Sequence, residues 1–454
     1  MLLQQPWMNG LTALKIELKQ AEEEGKKIPA SIRAEAQALE GREAKDREAV
    51  RRAERLYAEI QALPVEESFP YREPDALREI QNERPEAVEL PAWQGTREAC
   101  LDRIYGGWIG RSAGCLLGQP VEGWRSERIE GLLRESGNYP IQNYISSALA
   151  RDIREKYGVV DEGGAYGAKK KGWINNVSCM PEDDDTNYTV LALKLLEDYG
   201  PDFTPENVGE CWLSSLPLLH TCTAERAAYI NLCNLHLPPE SAVFCNPYRE
   251  WIGAQIRGDL FGYINPGNPE RAAEMAWRDA SISHVKNGIY GEMFVSAMIA
   301  SAFVLDDPRK IVLAGLAQIP AASRLAAGIR EAVEWKDAGK SLTEAVSLLR
   351  ERWDEKDPHD WCHTIPNAVL VVLGLLYGEM DFARSIGIGT AFGFDTDCNS
   401  ATIGSILGVA QGEKALPYIW KEPLHDTLLS GVHGFGRVAI SELARRTAAL
   451  CSFG

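Results

Sequence analysis

The segment GFDTDCNSATIGSILG, residues 393–408, limits what this chain can fold into more than any other stretch. It sets Asp395 and Asp397 between the apolar run IGIGTAFGF and the small, apolar ATIGSILG, and no Lys or Arg occurs between Ser385 and Lys414. An unpaired carboxylate buried in such a segment costs several kcal/mol or takes up a proton. The compensating charge must come from elsewhere in the chain or from a metal ion.

A second acidic group sharpens that demand. In CMPEDDDTNYTVLALKLLEDYG, residues 179–200, Asp183, Asp184 and Asp185 precede Thr186 and a helix carrying Tyr188, Leu191 and Leu195 on one face. Acids in a first turn suit the helix dipole, but a cap needs only one aspartate and three adjacent ones repel. Each acidic group leads at once into a helix of small or apolar residues. If the two face each other, four or five carboxylates converge, and only cations make that tolerable. Hard oxygen donors without His or Cys partners favour Mg2+, Mn2+ or Ca2+ over zinc, and so many acids suit two ions rather than one. The expectation is two divalent cations, Mg2+ first with Mn2+ or Ca2+ as alternatives, held jointly by Asp184, Asp185, Asp395 and Asp397.

Composition narrows the class. A formal net charge of −17 over 454 residues excludes nucleic acid as a main partner, because phosphate binding needs a basic surface. The ten cysteines are scattered, with no CxxC or CxxxC pair. With Met1-Leu-Leu-Gln-Gln-Pro lacking a basic and then apolar leader, this leads us to expect a cytoplasmic protein with reduced thiols. The longest apolar run, AVLVVLGLLY at 368–377, is about half the roughly 20 residues of a membrane span. It reads as a buried core helix, so no membrane partner is expected.

Three regions differ in texture. Residues 1–63 form a charged helical extension, with helices expected over 11–24 and 31–63 broken at Gly25 and Pro29 and Ser31 as N-cap. Val50, Ala53, Tyr57 and Ile60 make a narrow apolar stripe that packs on the main domain or on a partner subunit, the latter making a homo-oligomer. Residues 64–95 are rich in Pro and Glu and read as an extended linker. From 96 to 454 helical periodicity dominates and no βαβ rhythm occurs, so the domain is expected to be all-α. Its first helix carries Gly106, Gly110, Gly114 and Gly118 at every fourth position. Glycine costs about 1 kcal/mol per helical position, so a whole row implies close approach by a neighbouring helix.

At these residues the chain resembles the ADP-ribosylglycohydrolase family. Family members share a motif near TDDT at a helix start, a later GGDTDT before a small-residue helix, and an N-terminal GxxxGDxxGxPxE. Their counterparts are DDDT at 183–186, GFDTDC at 393–398 and GCLLGQPVE at 114–122, in family order. ASISHVKNGIYGEMFVSAMIASAF at 280–303 matches a further family region around a His, and the likeness spans about 98–450. The resemblance implies a compact all-α fold with a binuclear Mg2+ site in a cleft, hydrolysing the bond at C1 of a ribose. It implies a metal-binding set of Asp183, Asp184, Asp185, Asp395, Asp397 and Cys398, and catalytic roles for Glu122, Asp184 and Asp397. Asp183 and Cys398 both stand where the family has Thr, Gln119 is read as replacing its usual Asp, and Phe394 replaces Gly. A thiol is a poor ligand for Mg2+, so the expectation is either a weaker second metal or Asn399 or water filling the Cys398 position.

The residues themselves fit glycoside cleavage, whose transition state is oxocarbenium-like. Glu122 is the candidate to protonate the leaving group or deprotonate water. Trp173, Asn175 and Asn176 in KKKGWINNVSCMPE, together with His284, Glu292 and Phe394, are candidate substrate-binding residues. HDWCH at 359–363 reads as a capping turn rather than a zinc site. Two other classes compete: a two-metal phosphohydrolase, which would recruit His or basic residues beside the acids, and a catalytically silent module binding ADP-ribose or a riboside. The expected partner is a small riboside or an ADP-ribosylated substrate.

Overall fold

Helical periodicity carries through the molecule. The computed structural model describes residues 6–451, and these contain 23 α-helices and one two-stranded antiparallel sheet, β1 (Thr427–Leu429) with β2 (Arg437–Ala439). None of the described helices is long and apolar enough to cross a membrane.

The extension holds three helices: α1 (Gly10–Glu23), α2 (Ala30–Gln37) and α3 (Arg47–Gln61). The single helix expected over 31–63 is two helices. Gly41 adopts φ +74 between them, and Asp46 starts α3 by accepting the amide of Ala49. A turn-and-cap signal at 41–46 overrides the favourable composition around it. Leu14, Ala21, Ile32, Ala53, Leu56 and Ile60 form a small core inside the extension, so its apolar stripe is spent largely on itself.

Residues 64–95 run extended apart from a short helix at Leu77–Asn82, and they are tied down along their length. Glu73 pairs with Arg324 at 2.7 Å and accepts from Asn287 at 2.8 Å. Asp75 accepts the amide of Lys286 at 2.7 Å, and Ile80 is fully buried.

Beyond this strap lie α4 (Arg97–Gly118), α5 (Asp184–Tyr199), α6 (Lys286–Ala302), α7 (Thr364–Gly378) and α8 (Thr396–Gln411), with further helices between and after them. α7 contains the longest apolar run and is buried from Thr364 to Gly378. α4 and α8 lie antiparallel with their backbones touching. A Cβ built on Gly110 would sit 1.9 Å from the Gly404 carbonyl oxygen, one on Gly114 2.0 Å from that of Ser400, and one on Gly408 2.0 Å from that of Gly106. The glycine row is therefore a contact surface, matched by Gly404 and Gly408 on the partner helix. It draws the C-terminal end of α4 onto the N-terminal end of α8.

Candidate functional site

Three helix ends meet where that contact finishes. α4 ends at Gly118 and the chain turns through Gln119–Val121 to Glu122, α5 starts after Asp183, and α8 starts after Asp395. Gly118 lies against the backbone of Thr396 and Asp397. Ligand atoms of Cys115, Asp183, Asp185 and Asp397 all lie within 4.8 Å of one another, and so do those of Asp395, Asp397 and Cys398. Asp397 belongs to both groups. The two acidic stretches, two hundred residues apart in sequence, share one site.

Each acid is fixed differently. Asp183 caps α5, accepting the amide of Asp185 at 3.1 Å, and its second oxygen accepts from Gln119 Nε2 at 2.7 Å. Asp185 faces Arg111 of α4, whose Nη2 donates to Asp185 Oδ1 at 2.9 Å while Nη1 lies 3.0 Å from Asp259 Oδ2. Asp395 caps nothing with its side chain, but its amide donates to Asn367 Oδ1 at 3.1 Å, an oxygen that also accepts from Asn399 Nδ2 at 2.8 Å. Asp185 Oδ2 and Asp397 Oδ1 are buried with no hydrogen-bond partner. Asp184 is half-buried and falls outside both close groups, with Tyr166 and Cys222 bonded to its carboxylate.

The electrostatics record the crowding. Burial, followed by the charges of Asp184 and Asp185, holds Asp183 well above the ordinary carboxylate range. Burial and then Glu122, Asp395, Asp183 and Asp185 do the same to Asp397. Burial lifts Asp185 to about 8 against the opposing pull of Arg111, and Asp395 to about 6. Glu122 is exposed, yet desolvation by the atoms around it, and then Asp395, Asp183 and Asp184, raise it strongly, with Lys171 opposing. Such a set of acids, two of them with a buried oxygen lacking a partner, fits divalent cations. The donor set departs from pure oxygen in one respect: each of the two groups contains a thiol.

Sequence reasoning missed several members. Arg111 supplies part of the charge compensation that the segment 393–408 demands. An arginine among the small residues of the glycine row in α4 was the available signal, since a buried guanidinium needs acids around it. Counting back from Glu122 through GxPxE puts Cys115, not Gln119, at the acid of the N-terminal motif; Gln119 instead donates to Asp183. Asn367, 28 residues before Asp395, gave no local signal.

Of the candidate substrate-binding residues, Trp173 is fully buried, its indole donating to the Val160 carbonyl at 2.8 Å and packed on Trp124. Asn175 accepts the Ser147 amide at 2.8 Å and Asn176 donates to Asp161 at 2.9 Å, so both brace the loop before α5. His284 and Glu292 are buried in a network centred on Arg257, which also pairs with Asp279 at 2.6 Å and Glu225 at 3.2 Å. Arg257 Nη2 bonds Ser283 Oγ at 3.1 Å, which in turn meets His284 Nδ1 at 2.8 Å. Phe394 is fully buried at φ +54, a backbone region that glycine adopts with less strain.

Glu23, His359 and His363 form a third close group. His359 Nδ1 accepts from Trp251 Nε1 at 3.0 Å and His363 Nδ1 from the Ile365 amide at 3.2 Å. Both partners only donate, so each neutral ring carries its proton on Nε2, the atom facing Glu23 at 3.1 and 3.4 Å. A metal-binding His needs the reverse, a lone pair toward the ion and a donor behind. His359 thus clasps Glu23 of α1 to the body through a hydrogen bond, with His363 beside it.

The family model for ADP-ribosylglycohydrolase matches residues 96–452. No curated protein matches the chain at a significant level. A solved structure of an ADP-ribosylglycohydrolase-related protein complex superimposes with a TM-score of 0.44 at 17% identity, covering 78% of this chain and 98% of that one.

Proposed function

The chain belongs to the ADP-ribosylglycohydrolase family, and on that premise we propose that it is a divalent-metal-dependent glycohydrolase cleaving the C1 glycosidic bond of an ADP-ribosyl or related ribosyl compound. The observation that carries this reading is the meeting of the 183–185 and 395–397 acids around two buried, partnerless carboxylate oxygens. Asp183, Asp185, Asp395 and Asp397 are the residues to hold the ions, with Asp184 at the rim. The chemistry a divalent pair supplies when bound is orientation of the ribose hydroxyls and activation of water.

The chain's own residues supply the rest. Glu122 sits at the open side of the acid cluster, where its raised pKa suits a group that carries a proton at neutral pH. It is placed to protonate a leaving group or to take a proton from water. The surrounding carboxylates stabilise the positive charge that develops on C1 and the ring oxygen. Gln119 fixes Asp183, and Arg111 fixes Asp185 and offsets part of the negative charge, so the cluster is held before substrate arrives.

The test is incubation of the full chain, with and without added Mg2+, Mn2+ or Zn2+, with ADP-ribosylated protein, free ADP-ribose and simple ribosides. Metal-dependent release of ADP-ribose or ribose is expected from at least one, and lost in Glu122→Gln. No release from any of them under any metal, from protein that binds the ions, would favour the silent binding module instead.

A further inference from the structure

Cys115 and Cys398 enter the acid cluster from different helices. Cys115 lies on α4, one turn before Gln119, and Cys398 lies in the first turn of α8. Both are buried. Cys115 Sγ is within 4.8 Å of carboxylate oxygens of Asp183, Asp185 and Asp397, and Cys398 Sγ is equally near those of Asp395 and Asp397. Each close group thus contains one sulfur, and Asp397 is common to both. The orphaned oxygens Asp185 Oδ2 and Asp397 Oδ1 are buried in these same groups. Cysteine as an inert packing residue belongs among apolar neighbours. Here both thiols have carboxylates as neighbours, and Cys398 bonds those of Asp185 and Asp395.

We propose that this cluster is built for thiophilic divalent cations of the zinc type rather than for Mg2+, with Cys115 as a thiolate ligand among Asp183, Asp185 and Asp397 and Cys398 as a thiolate ligand beside Asp395 and Asp397. The proposal rests on the reading of the acids as a metal site and adds which ion they select. Mg2+ takes oxygen donors almost only, whereas Zn2+ accepts Cys sulfur together with Asp oxygen. On binding, each thiol loses its proton to solvent as the metal–sulfur bond forms. Two such ions together with Arg111 at Asp185 then nearly neutralise the mixed set of four carboxylates and two thiolates.

The experiment uses the full chain stripped with a chelator and titrated with Co2+, whose bonds to thiolate produce a near-ultraviolet charge-transfer band. Zn2+ and Mg2+ then compete for the bound Co2+. The expected result is a sulfur band that weakens in Cys398→Ser and in Cys115→Ser and vanishes in the double variant. Zn2+ displaces Co2+ readily, Mg2+ only in large excess, and Cys398→Thr shifts the preference toward Mg2+ by roughly tenfold or more. Circular dichroism confirms that each variant is folded, and the competition with wild-type protein stands without any variant. Co2+ binding with no sulfur band, or with a band unchanged in both cysteine variants, overturns the proposal while leaving the acid site intact. Co2+ binding unchanged in Asp397→Asn would instead overturn the reading of the acids themselves.

Discussion

Asp397 is the residue on which the site turns, because it belongs to both close groups and one of its oxygens has no protein partner. Asp397→Asn keeps the shape and removes the charge. It should weaken divalent-ion affinity, read by calorimetry, by at least ~100-fold, more than loss of an outer partner costs. An unchanged affinity would remove Asp397 from the metal set. The raised acids also predict a pH dependence with a definite sign. Asp185 at about 8 and Asp395 at about 6 stand above the ordinary value near ~4. The metal-stripped native state therefore binds more protons than the unfolded chain across that window, so its stability falls as pH rises from ~4 to ~8. The melting temperature in chelator should be lower near pH 8 than near pH 5, and saturating metal should abolish the difference. A melting temperature rising over that range would contradict the assignment. At this scale the acids were legible because carboxylates in apolar segments demand a counter-charge. Arg111 and Asn367 were not, since their partners lie 74 and 28 residues away.

The glycine row shows what an element can do that a residue cannot. Gly106, Gly110, Gly114 and Gly118 announce a close helix contact from sequence alone. That the contact is with α8, and so sets the register of Asp397 against Glu122, is visible only in three dimensions. Gly114→Ala puts a methyl 2.0 Å from the Ser400 carbonyl oxygen, and neither backbone can yield without moving a helix. Overpacking of this kind costs about 1–3 kcal/mol or more. A fall in melting temperature is expected together with weakened ion binding, because the shift acts on the end of α8. Loss of stability with unaltered ion affinity would uncouple the helix contact from the site. The expected single helix over 31–63 fails for a local reason: the composition favours helix on both sides of Gly41, but the turn there and the Asp46 cap restart the chain in a new direction.

Across the whole molecule, the extension is fastened to the body by buried charge. Arg249 forks between Glu17 and Glu24 of the extension at 2.6 and 2.8 Å. Arg324 gathers Glu73 and Glu250 at 2.7 Å each, and Gln20 reaches Glu250 at 3.0 Å. Sequence texture set the extension apart as a charged helical region, but it could not show that the charged faces point inward at these places. Arg249→Leu strands two buried carboxylates, a change that typically costs about 3–5 kcal/mol. Limited proteolysis should then cut first within residues 1–69 while the body resists, and cleavage spread evenly over the chain would contradict this anchoring. The central claim is that residues 183–185 and 395–397 jointly hold divalent cations, and anomalous diffraction from crystals soaked in Mn2+ tests it most directly. The account predicts anomalous density within bonding distance of Asp397 and of at least one of Asp183, Asp185 and Asp395. Strong density elsewhere with none among these carboxylates would contradict it.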